Sequence, residues 1–288
     1  MGQNKHDEVI TLNVHHESEE RLEYELEVIA RWEKDQRDLW FWEKIGRIPF
    51  ALLDRVTPRK VHEWIGQALD ELGSYIQTGG QYLINDDTVL NHLSTEAKIS
   101  PTSLRLEDVS ELVPLSAMNQ TSDKLKQARV QLATLQGATT GVGGIFTLAI
   151  DIPFLLGLSL KAAQEMALAY GYDPREKKER IFIVQCLQFA SSDYVGKQSI
   201  LKSLSVFHEG SPERETLSQI QGWREVIATY RDNFGWKKLF QLIPIAGILF
   251  GAWINKSTVE EVSETAQMLY KKRRVLDRLQ AIRESTLS

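Results

Sequence analysis

The sequence predicts an all-α protein, a multi-helix bundle around a glycine-rich central helical hairpin. Three observations carry that prediction. Apolar residues recur at three- and four-residue spacing through most of the chain, which is the period of a helix face. No stretch keeps the period-two alternation of a half-buried strand. Two charge-poor segments, residues 137–160 and 239–254, carry glycines four apart, which share a helix face and let two backbones approach closely. The chain has 288 residues, 42% hydrophobic and 25% charged, which excludes a largely disordered or fibrous protein. We read a disordered acidic tail over residues 1–19 and a single helical domain over residues 20–288.

Residues 20–42 read as the first helix, with Leu22, Leu26 and Ile29 on one stripe. Thr57 and Pro58 start a second, as cap and first helical residue, and Gly79-Gly80 stops it. Residues 85–123 read as short helices and connections around Asp86, Asn91, Pro101 and Pro114. Ser122-Asp123 is then expected to cap a helix through Leu125, Ala128, Leu132 and Leu135. Within the glycine-rich run, two helices are expected to meet at Asp151, with Asp151 as cap and Pro153 in the first turn. In Tyr170-Gly171-Tyr172-Asp173-Pro174, Gly171 is a helix stop, Asp173 a cap and Pro174 the first residue of the next helix. Residues 197–207 and 212–234 read as two further helices. The second apolar run is expected to break at Pro244, and residues 255–284 form a long amphipathic helix with Val259, Val262, Ala266, Leu269, Leu276 and Leu279 inward.

The two apolar segments are the unusual feature. Gly137 and Gly141 are four apart, with Gly143 and Gly144 next, and Gly247 and Gly251 repeat the spacing. A spanning helix needs about 20 apolar residues. The second segment is shorter and carries Gln241 and Pro244. The first holds Asp151, whose insertion cost of about 2.5–3.5 kcal/mol cancels the roughly 0.3–0.6 kcal/mol from each Leu, Ile or Phe. A buried helical hairpin and a shallow membrane insert both fit. Trp32, Trp40 and Trp42, beside basic residues, and the cluster Lys271, Lys272, Arg273 and Arg274 are candidate contacts for a headgroup interface or a partner.

Chemistry-bearing patterns are incomplete. Gly141-Val142-Gly143-Gly144 lacks the third glycine of a dinucleotide fingerprint, where Phe146 stands, and the Lys-Ser/Thr of a phosphate loop. His62-Glu63 has Gly66 where a zinc protease needs its second His. Cys186, the one cysteine, sits in an apolar helix and reads as core. The net charge of -5 argues against a general nucleic-acid binder. We therefore expect no catalytic, cofactor-binding or metal-ligating residue. With no apolar leader and one free thiol, a cytoplasmic protein is expected.

The run Gly137 to Gly144, then Asp151-Ile152-Pro153, then Tyr170-Gly171-Tyr172-Asp173-Pro174 resembles the central signature of the EcsC family. Ile243-Pro244-Ile245-Ala246-Gly247, Gly251 and Asn255 resemble its second signature, with Ala246 standing where a second glycine is often found. The resemblance covers residues 120–280 and implies a bacterial protein associated with an ABC-transporter operon. It implies no established reaction. The expected function is a non-catalytic accessory protein, peripheral at the inner face of the cell membrane, with a transporter or the membrane surface as partner. A lipid or hydrophobic-ligand binding module, with the hairpin lining a cavity, and a hydrolase built on Asp123, Asp151 and Asp173 are the alternatives.

Overall fold

The computed structural model describes residues 17–36, 83–100, 104–140, 148–191, 197, 200–201 and 244–287, with backbone alone at 148–153, 191, 244–251 and 287. Among these residues the chain forms seven helices and no strand. They are α1 Glu19–Asp35, α2 Asp86–Ala97, α3 Leu106–Leu112, α4 Leu115–Thr140, α5 Leu148–Ala169, α6 Lys177–Ser191 and α7 Pro244–Leu287. The expected helices at residues 57–79 and 212–234, most of that at 197–207, and Trp40 and Trp42 lie outside the described residues.

Local chemistry sets several helix ends. The Ser18 hydroxyl accepts from the Arg21 N–H at 3.3 Å, and Glu19 and Glu20 face the positive end of the α1 dipole. The Asn85 side chain caps α2 by accepting from Thr88 N–H at 3.3 Å. Pro244 is the first residue of α7, where a missing N–H costs nothing. The helix then runs unbroken for 44 residues, about 66 Å.

The long α7 is the spine. It packs on α4, α5, α6 and α1, while α4 also packs on α5 and α2. Arg129 of α4 meets Glu165 of α5, and Ser122 of α4 meets Tyr170 just after α5, so α4 and α5 run antiparallel. Lys126 of α4 meets Gln267 of α7, while Arg278 of α7 reaches Val113 just before α4, so this pair is antiparallel too. Between the helices lies a single apolar core that includes Leu93, Met118, Leu125, Leu155, Met166, Phe182, Phe189 and Leu269.

Four local expectations are corrected. Ser122-Asp123 does not start a helix: α4 begins at Leu115, whose N–H donates to the Glu17 carboxylate. A cap supplied from 98 residues away leaves no local pattern. Asp151 does not separate two helices, because α5 is helical on both sides of it. The long helix expected over residues 255–284 begins earlier, at Pro244. Pro174 precedes α6 by three residues, in a turn where the Glu176 carbonyl accepts the first helical bond, from Arg180 N–H at 3.0 Å. Glu17 also ties α4 to α7 through Arg278.

Candidate functional site

The signature Tyr170-Gly171-Tyr172-Asp173-Pro174 closes α5. Tyr172 N–H donates to Ala167 O at 2.9 Å and Gly171 N–H to Leu168 O at 3.0 Å, a Schellman end with Gly171 at φ 77°. Glycine is required there for two reasons. The backbone is left-handed, and a Cβ would lie 3.2 Å from Arg274 Nη2 and from Val109 Cγ1.

Helix ends leave carbonyls without partners, and here α7 supplies them. Arg274 donates through Nε to Tyr170 O at 2.9 Å and through Nη2 to Gly171 O at 3.4 Å. The fully buried Tyr170 donates its hydroxyl to Asn119 Oδ1 at 2.8 Å and lies 3.3 Å from Ser122 Oγ. Gln267 Nε2 donates to Ser122 Oγ and to Asp123 Oδ1, each at 2.8 Å, and Gln267 Oε1 accepts from Lys126 at 2.7 Å. One polar network thus joins α4, the end of α5 and α7. Burial pushes the Tyr170 and Tyr172 hydroxyls well above their ordinary pKa, so both stay protonated donors.

The other half of the site is a stack. Two guanidiniums pack over the Tyr172 ring, with Arg273 Cζ 4.2 Å and Arg274 Cζ 4.5 Å from its centroid. Its hydroxyl donates to Asp277 Oδ2 at 2.7 Å. Arg273 also lies 4.3 Å from the Phe182 centroid and forks onto Glu179 of α6 at 2.7 and 2.8 Å. Burial opposes the Arg273 charge, but the Glu179 carboxylate outweighs it and raises the guanidinium pKa. Glu179 is 1% exposed, so each ion is the other's main compensation. Asp173 Oδ1 accepts from Arg175 N–H at 2.9 Å and Nε at 2.8 Å, a local turn bond. These groups face one another, and the arrangement is a clamp that locks the α5–α6 turn onto α7.

The basic cluster has a different place from the one its composition suggested. Lys271 pairs with Glu25 at 2.5 Å and Lys272 with Glu33 at 2.7 Å, both on α1. Arg273 and Arg274 form the clamp. Trp32 donates its indole N–H to Glu264 at 2.8 Å and stacks near Phe189 at 5.8 Å. All five side chains hold helices of this chain together, so a membrane or partner contact gains no support from them. Of the remaining signature residues, Gly137 is buried in α4, and Gly247 and Gly251 lie in the first turns of α7. Gly141, Gly143 and Gly144 lie outside the described residues, so the close contact expected of this run is not described. Asp151 and Pro153 lie within α5, on backbone alone. Asn255 is fully buried, and neither amide atom finds a hydrogen-bond partner among the described residues.

Sequence reasoning passed over Glu17, Glu25, Glu33, Glu179, Asn119 and Gln267. One signal was available. Four consecutive helical residues span about 300° of the axis, so Lys271 to Arg274 cannot all face water on a helix packed on several sides. Each inward cation requires a buried acceptor elsewhere. Cys186 is fully buried, and burial pushes its thiol far above the ordinary range. Native protein is expected to resist iodoacetamide and to label fully in denaturant; rapid native labelling, read by mass spectrometry, would show that the core is open at α6.

The EcsC protein family model matches residues 23–275, a span that includes the clamp except Asp277. The chain belongs to the EcsC protein family. It is 52% identical over 265 residues to "Uncharacterized protein YdbA" of Bacillus subtilis (strain 168), covering 91% of this chain and 96% of that protein. It is 32% identical over 164 residues to "Protein EcsC" of the same organism, covering 57% of this chain and 66% of that one. No solved structure matches this EcsC-family chain.

Proposed function

We propose that this EcsC-family protein is a non-catalytic bacterial accessory protein that works at the cytoplasmic face of the cell membrane, beside a transporter. The observation that supports this reading is the uneven charge along the described helices. Antiparallel packing puts the C-terminus of α4, the N-terminus of α5 and the N-terminus of α7 at one end. There, residues 130–140 and 244–255 carry no charge, and residues 148–160 carry only Asp151. Leu132, Leu135 and Trp253 are exposed by 41%, 66% and 40% in this region. The clamp, with its dense ion pairs, occupies the other end.

Among the described residues no helix is long and apolar enough to cross a membrane, so the reading is of surface contact. A tryptophan beside leucines suits the headgroup boundary, and burying one such side chain is worth about 1.5–3 kcal/mol. We expect the protein to co-sediment with vesicles of phosphatidylglycerol and phosphatidylethanolamine. The double variant Leu132→Ser/Leu135→Ser is expected to lose at least about tenfold in partitioning while melting like the parent. Wild-type protein that stays in the supernatant at every lipid concentration contradicts the reading.

A further inference from the structure

The far end of α7 carries a feature unrelated to the clamp or the uncharged end. A surface groove of 520 Å³ runs between α1 and α7. Leu26, Leu276 and Leu279 form its floor, and Glu23, Glu27 and Glu284 stand on its rim. The rim also holds Arg283, but that cation is shared between Glu19 at 3.1 Å and Glu23 at 3.5 Å. Glu27 and Glu284 have no cationic partner among the described residues. The groove is therefore apolar below and net acidic above.

We propose that this groove is a docking site for a basic amphipathic helix of a partner protein. Two antiparallel helices leave a furrow that a third helix can fill by setting its side-chain ridge between theirs. Apolar residues of the incoming helix would meet the three leucines, and its Lys or Arg would meet Glu27 and Glu284. The acidic rim disfavours an anionic lipid surface in the same place. The groove lies about 39 Å along α7 from Trp253, so one end can meet a membrane while the other holds a partner. The inference does not depend on the membrane reading.

The test is binding of a fluorescent Leu/Lys amphipathic helical peptide to the full chain, measured by anisotropy. A Leu/Glu peptide of the same pattern serves as control. Binding of the basic peptide is expected at low salt, with weakening as salt rises. Glu27→Lys/Glu284→Lys is expected to weaken it about tenfold and to gain affinity for the acidic peptide. Glu107→Lys/Glu111→Lys, the same charge change elsewhere, is expected to leave it within about twofold. Failure of the full chain to bind the basic peptide overturns the proposal, as does equal weakening by both double variants. Self-association in sedimentation equilibrium, abolished by the groove variant, would make the occupant a second copy and also overturn it. Vesicle binding is read separately, so either result leaves the other intact.

Discussion

Arg273→Ala is expected to lower stability by about 3–5 kcal/mol, because it strips the counter-ion from a carboxylate with almost no access to water. Glu179 is 1% exposed, and its two oxygens accept from the two Arg273 amines at 2.7 and 2.8 Å. The loss also removes the cation stacked on Tyr172 and Phe182. At about 2–4 °C per kcal/mol for a chain of this size, melting should fall by roughly 10 °C. Arg273→Lys restores the charge but not the fork or the flat stacking, so it should recover only part of the loss. A variant that melts within about 2 °C of wild type would mean that the pair adds nothing.

Gly171→Val is expected to be nearly as severe. At φ 77° a side chain costs about 1–2 kcal/mol in the backbone alone. The new Cβ would also stand 3.3 Å from Ser110 N and 3.2 Å from Val109 Cγ1 and Arg274 Nη2. Crowding of this kind typically adds about 1–3 kcal/mol. Gly171→Ala should show the same sign with a smaller effect, and the pair of variants separates backbone strain from crowding. Thermal melts of both are compared with Gly157→Ala as the control, since a Cβ at Gly157 would meet nothing within 4 Å.

The helical character of the chain was open to reading because its cause is local. Apolar spacing marked Leu22, Ile29, Val259, Val262, Leu269 and Leu279 as inward, and all are buried. Gly171 was legible as a helix stop because a positive φ demands glycine. What was not legible depends on distant residues. Glu17, just ahead of α1 and 98 residues from Leu115, caps α4, which hides the true start at Leu115 behind the stronger-looking Ser122-Asp123. Those two residues are instead drawn into the Tyr170 and Gln267 network. The basic run looked like a surface because its acidic partners, Glu25, Glu33 and Glu179, lie on two other helices. Ion pairs across 94 and 239 residues leave no spacing rule in the sequence.

The Tyr-Gly-Tyr-Asp-Pro signature and the Arg273-Arg274 pair act as one mechanical clamp, held shut by the buried Arg273–Glu179 ion pair. A double-mutant cycle on Arg273→Ala and Glu179→Ala, with stability measured by chemical denaturation, tests this most directly. A clamp predicts that the double variant loses about 2 kcal/mol less than the two single losses combined. Losses that add to within about 0.5 kcal/mol would show the two residues to be independent and would contradict it.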